Sequence, residues 1–561
     1  MKLLRIIGLV VVVGMISTIV VHGDDAASFD NPVVLDNAML SITVSDLHGL
    51  FEGAGSVAAN ISPMMNGIML KSMIGAQLED PQLSGIERGK GLAVVMVNPS
   101  NIFAVIEISS SQLATYTNKL TTMGMKSQNS GGVLVVAQTS EQVSTGISYV
   151  DAVKSQLLNK RTPSLRVTFS PTYLVAQNQD KIDGMLNNMT AAMQMSMQQS
   201  QTNTVNSSVG TEKILEGEMQ IILSLAKQIE SAEINLFPKN GSINLSEIFV
   251  PIKGSDLAKL CNAPAINTWN KKLQAGNLGD GAFQVDFLLK NPKALSDFIA
   301  IEADKLIAEM KLDAAKIKPI IELTQRYLEN YGGSACESIM LGGKNMMSVN
   351  YLIEVKDAET ALIMFKDAQA NMKAVGMLEF YSNMGIDMSM ALTENVREHK
   401  GIKIHKLATT IDISKLPQEQ KKAYETMDLT NMTCEIAIFD GIMACTLNGA
   451  GIEDLIDRHN NPDFIATPLH ARKELAGDGS YYMDMDIGKY MDFISSMMPT
   501  GIPNMPDFNQ IGESLKGADK ITNAGYCKKG KLAYSLRIPG SLITRIGQMV
   551  MMMAMQSQQT Q

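Results

Sequence analysis

Glu337-Ser338-Ile339-Met340-Leu341, then Gly342-Gly343-Lys344-Asn345, then Tyr351-Leu352-Ile353-Glu354-Val355 reads as two β-rich runs around a turn. Turn residues between such runs mark a β-hairpin. Alternation places Tyr351, Ile353 and Val355 on one face, expected to be buried, and points Glu354 away from it. An earlier stretch repeats the pattern: Leu92 to Val97, the turn Asn98-Pro99-Ser100-Asn101, then Phe103 to Ile108. Each second strand carries a glutamate, Glu107 or Glu354, expected on the polar face, and each precedes a helix expected to be capped by Ser110 or Asp357.

Working outward, the two stretches lie in a longer parallel. Ala38 to Val44 runs into Ser45-Asp46-Leu47, and Ala282 to Leu289 runs into Asn291-Pro292. Both are strands meeting helix-start residues, with proline suited to a first helical turn. Further hairpins are expected over Leu165 to Gln177 and Met432 to Leu447, ending in Asn178 and Asn448 before helices at Ile182 and Ile452. Phe237-Pro238-Lys239-Asn240-Gly241 resembles Cys527-Lys528-Lys529-Gly530, and the following strands end at Gly254-Ser255-Asp256-Leu257 and Gly540-Ser541-Leu542. Separations between matched positions rise steadily, as two collinear copies with loop insertions in the second require. Gly279-Asp280-Gly281 with Asp286 recurs out of order as Gly477-Asp478-Gly479 with Asp484, read as an additional strand–helix unit.

The expected fold class is α+β: two tandem related units, 36–278 and 279–540, each a mainly antiparallel sheet with helices on one face. A Met/Gln-rich helical hairpin insertion is expected over 179–230, and a Met-rich helix with a disordered tail from Gln556 over 541–561. Lys2 and Arg5, the uncharged run Ile6 to Val21, and Val21-His22-Gly23 before Asp24-Asp25 form a signal-peptide pattern over 1–23, with a linker over 24–35. The chain is thus expected to be exported by a bacterial-type cell and periplasmic, cell-surface or secreted. Retention of the signal would leave an N-terminal membrane anchor. No later segment reaches spanning length free of charge, so no transmembrane segment is expected after cleavage.

A net charge of −9 and a pI near 5.4 argue against a nucleic-acid partner. Of the five cysteines, Cys434 and Cys445 flank a two-residue turn at Asp440-Gly441. That turn sets Cys434 opposite Leu447 and Cys445 opposite Ile436, leaving the cysteines diagonal with Cβ atoms about 7 Å apart. A disulfide needs nearer about 4 Å.

Methionine is in excess at 40 residues, grouped at Met193, Met195, Met197 and again at Met549, Met551, Met552, Met553 and Met555. Thioethers suit Cu(I), but helical residues two apart do not converge on an ion. Adaptable apolar packing, or a greasy surface for a lipid or protein, explains them better. Ser224-Leu225-Ala226-Lys227 has S-x-x-K spacing without its companion motifs. The mature histidines are His48, His399, His405, His459 and His470, of which His459 and His470 with Asp457 are candidates to meet. Asp484, Asp486 and Asp478 are weighed as a calcium cluster against a solvated sheet face.

No catalytic, cofactor-binding or metal-binding residue, and no cofactor, is assigned. The expected protein is a non-enzymatic binding or structural protein of the cell envelope with an unknown protein, polymer or lipid partner. One alternative is a lipid or lipoprotein carrier with a Met-lined apolar groove. Another is a hydrolase whose site no motif reveals.

Overall fold

A computed structural model describes residues 32–62, 66–77, 80–159, 164–182, 184, 220–239, 241–309, 314–341, 347–374, 378, 381–382, 385–418, 421, 424–425, 430–448, 451–475, 479–497, 508–528 and 530–559. The signal-peptide pattern, most of the 179–230 insertion, and Met193, Met195 and Met197 lie outside them. The fold is α+β, built on one antiparallel sheet of eighteen strands among the described residues.

The first eight strands are β1 (Leu40–Val44), β2 (Leu92–Asn98), β3 (Asn101–Ile106), β4 (Lys126–Ser130), β5 (Val133–Ala137), β6 (Leu165–Phe169), β7 (Ile229–Lys239) and β8 (Ser242–Pro251). Then come β9 (Phe283–Leu288), β10 (Tyr331–Leu341), β11 (Met347–Val355), β12 (Asp387–His399) and β13 (Ile402–Asp412). The last are β14 (Asn431–Phe439), β15 (Ile442–Leu447), β16 (Tyr481–Met485), β17 (Ile521–Lys528) and β18 (Lys531–Ile538).

In the middle of the sheet β8 pairs with β18, Leu245 opposite Leu536. Outward from β8 the order is β7, β6, β1, β2, β3, β5, β4. Outward from β18 it is β17, β16, β9, β10, β11, β15, β14, and then the added hairpin of β13 and β12. Each expected unit was to have its own sheet; instead a single sheet runs through both, because the β8 and β18 edges satisfy one another's backbone groups.

Helices cover both faces, not one. Val44, Leu92, Ile106 and Leu165 pack under the helix Leu47–Ile61, and Leu134 and Val136 under the helix Leu113–Thr122. On the opposite face Val95, Phe103 and Val135 meet Val143 and Val153 of the helices Ser140–Ser148 and Val150–Asn159. In the second half the helix Ile452–Asn460 packs on the face of Leu352 and Ala437, and the helix Pro292–Glu309 on the face of Ile353 and Ile436. Glu354 therefore does not point into open solvent. It accepts hydrogen bonds from Ser334 N and Asn270 Nδ2, both at 2.8 Å.

Asp46 caps the helix Leu47–Ile61 and Asp357 caps Ala358–Lys366, as expected, each accepting a backbone N–H. Ser110 caps nothing: the next helix begins at Leu113, after Gln112 in helical backbone. Leu165 to Gln177 is not a hairpin. Its strand stops at Phe169, and Ser170 Oγ accepts the Tyr173 N–H as a helix begins at Pro171. The unit read as additional is β16 with the helix Ile487–Met497, which occupies the place that β6 and its following helix hold in the first half. Leu35, at the end of the expected linker, packs in the core. The last helix, Gly540–Gln559, runs through Gln556, where a disordered tail was expected. None of the helices described is long and apolar enough to cross a membrane.

Candidate ligand-binding face

Side chains alternate across a strand, so the register of the sheet sorts its residues into two faces. One face is apolar through its centre. Ile243, Leu245 and Phe249 of β8 stand opposite Ile538, Leu536 and Leu532 of β18. The same face continues through Ile234 and Leu236 of β7, Tyr481 and Met483 of β16, and Val285 and Phe287 of β9. These side chains are only partly covered, and Leu236 is 39% exposed. From β2 to β11 the floor crosses eleven adjacent strands, about 48 Å at the usual inter-strand spacing. The face is interrupted at β17, where Asn523, Gly525 and Cys527 are buried, but the partly exposed apolar residues on either side of it are not the scattered ones common on protein surfaces.

Helices shield this floor without closing it. Helix Leu47–Ile61 lies against β7 and helix Gly540–Gln559 against β8. Asn60 Nδ2 donates to Gly241 O at 2.9 Å, tying the first helix to the β7–β8 turn. Gly547 of the last helix lies against Ile61, so close that a Cβ would stand 2.6 Å from its Cα. On this last helix Met551 and Met552 are 39% and 38% exposed, so these two are surface residues, not core filling.

Set into the apolar floor are two carboxyls and three phenols. Glu247 lies opposite Tyr534, and Glu337 opposite Tyr351 and Val285. Burial raises both carboxyls above their ordinary values. Burial also pushes Tyr534 up to about 12, helped by Glu247, and raises Tyr351 and Tyr481. Tyr481 Oη donates to Met483 Sδ at 3.2 Å. Glu247, Glu337, Tyr351 and Tyr534 have no side-chain hydrogen bond among the described residues. Their polar atoms keep some exposure and can bond water or the polar group of a ligand.

On the opposite face many polar residues are buried, and several of them form hydrogen-bonded groups. Asp286, 0% exposed, accepts from Arg472 Nε at 2.6 Å and from Ala275 N at 2.7 Å. Burial raises its carboxyl, and the Arg472 charge pulls it back. The Arg472 guanidinium lies 3.8 Å from the Trp269 ring centre and 4.6 Å from that of Tyr482. Asp484 accepts the backbone N–H groups of His470 and Ala471. Ser41, Thr168 and Gln156 form a buried hydrogen-bonded group.

The sequence candidates scatter. Ser224 Oγ bonds Glu302 at 2.5 Å rather than Lys227. Asp457 pairs with His399 and Lys400, while His459 faces Asp440 and His470 contributes its backbone to Asp484, so the histidine grouping does not form. His48 is buried and bonded to Ile86 O. Asp486 caps the Lys489 N–H and Asp478 lies outside the described residues. Among the described residues no three His, Cys, Asp or Glu side chains converge as a metal site. The Cys434 and Cys445 register is the one expected from the turn.

No protein-family model, curated protein or solved structure matches this chain.

The sequence singled out none of the floor residues as a site. Their signal was present as alternation, in Ile243-Asn244-Leu245 and Tyr481-Tyr482-Met483 for example. Alternation cannot distinguish a floor packed under helices from one left partly open.

Proposed function

We propose that this chain is an exported, non-enzymatic binding protein of the cell envelope whose apolar sheet face holds the tail of a lipid or acylated ligand. The observation that carries the reading is the partly exposed apolar side chains of β7, β8 and β18 and, beyond the buried Asn523, Gly525 and Cys527 of β17, those of β16 and β9. Flexible Met551 and Met552, on the helix beside β8, fit a wall that adapts to varied tails. The export part of the proposal rests on the charged start, apolar run and small residues of positions 1–23.

Two related units, 36–278 and 279–540, form part of the same proposal. Its support is the matching strand order on either side of the β8–β18 pair, with turn glycines Gly241 and Gly530 both at φ 73°. A duplicated unit pairing its last strand with that of its copy yields a floor twice as wide as one unit provides.

A displacement titration tests the binding reading. The full chain is titrated with cis-parinaric acid, a fatty acid that fluoresces when shielded from water. The expected result is saturable binding, competed by unlabelled oleate and weakened about tenfold or more by Leu245→Arg with Leu536→Arg. Absence of saturable fluorescence in the wild-type chain, or equal binding by a folded double variant, would overturn it.

A further inference from the structure

On the other side of the sheet, a cavity of about 260 Å³ opens between residues 271–278 and the helix Ile452–Asn460 with the loop after it. Its polar lining holds Lys271, Lys272, Arg458 and His459 with the amides of Asn277 and Asn461. Lys271 and Lys272 stand at the mouth, exposed, and neither has an ion-pair partner among the described residues. Arg458 and His459 come from the helix, and the Arg458 guanidinium donates to Asn277 O. Asn277 is 7% exposed; its Oδ1 accepts the Thr467 N–H at 2.8 Å, but its Nδ2 donor is buried without a partner.

No carboxylate lines this cavity. The nearest acid named by a contact is Asp440, 3.6 Å from His459 and largely solvent-exposed. Burial and the neighbouring Lys272 hold the His459 imidazole below its ordinary value, so the histidine is neutral at pH 7 while three fixed cations remain. The other walls are Leu278, Leu352, Leu455 and Phe464, which suit an apolar body rather than a hydrated inorganic ion.

We propose that this cavity binds a small organic phosphate, with Lys271, Lys272 and Arg458 gathered around the phosphate and the leucine and phenylalanine walls around its apolar part. Three cations match the acceptor-only oxygens of a phosphate dianion, and such charge-assisted bonds are the stronger class. The cavity shares no residue with the apolar floor, so this inference stands or falls separately from the lipid reading.

Calorimetric titration of phenyl phosphate into the full chain at low salt tests it. Saturable one-to-one binding is expected, tighter than inorganic phosphate and lowered about tenfold or more by Lys271→Gln with Lys272→Gln. Both lysines are exposed, so the double variant is expected to melt where the wild-type chain does. A flat titration of the wild-type chain, or unchanged affinity in the folded double variant, would overturn the proposal.

Discussion

Glu337 sits on an apolar floor with no hydrogen bond, and burial alone raises its carboxyl above the ordinary value of 4.5. An acid whose folded value is raised binds its proton more tightly folded than unfolded. Stability then falls as pH rises from the unfolded value to the folded one, and the full cost of ionising is present above both. Glu337→Gln removes that cost. The variant is expected to melt above wild type at pH 8 and together with it near pH 4, as thermal unfolding across that range would record. A gain that persisted at pH 4 would mean that packing, not charge, separates the two side chains. Asp286 poses the opposite case, a buried carboxyl held by Arg472 at 2.6 Å. Removing the arginine strands the acid in the core. Arg472→Ala should therefore cost about 3 kcal/mol or more in urea unfolding. Glu354 was only half legible in the sequence. Its parity was readable from alternation, but its two bonded partners, Ser334 and Asn270, come from an adjacent strand and a distant loop.

Among elements, those bounded by strong local chemistry were the legible ones. Asp440 and Gly441, at φ 49° and 71°, make the two-residue turn that pins the β14–β15 register to the pairing expected from sequence. Asp46 and Asp357 mark helix starts because their carboxylates satisfy free N–H groups. The Leu165–Gln177 misreading had its remedy in Ser170-Pro171, a capping residue followed by the residue best suited to a first turn. By contrast Lys126-Ser127-Gln128-Asn129-Ser130 forms the sheet's outer strand with almost no apolar signal, as edge strands that avoid aggregation do. On the last helix, Met551→Gln with Met552→Gln removes exposed apolar surface without opening the core, so stability should move by no more than about 0.5 kcal/mol. Parinaric acid affinity should fall in the same variant. Unchanged affinity would remove this helix from the proposed binding surface.

The whole molecule was the least legible, because its defining contact joins β8 to β18, segments almost 300 residues apart in the chain. The sequence carries the two strand patterns but nothing that says they pair. That pairing turns two expected sheets into one and doubles the width of the apolar floor. It also explains why helices are needed on both sides: one face must seal buried polar groups such as Asp286 and Asp484, and the other must shield Leu245, Leu536 and their neighbours. The most direct measurement is native mass spectrometry of the protein purified from its native source. Lipid-sized adducts that leave on mild activation are expected, and they should be missing from the Leu245→Arg, Leu536→Arg variant. A bare-chain mass for the wild-type protein, under conditions that preserve lipid on a known carrier, would overturn the assignment of the sheet face to lipid binding.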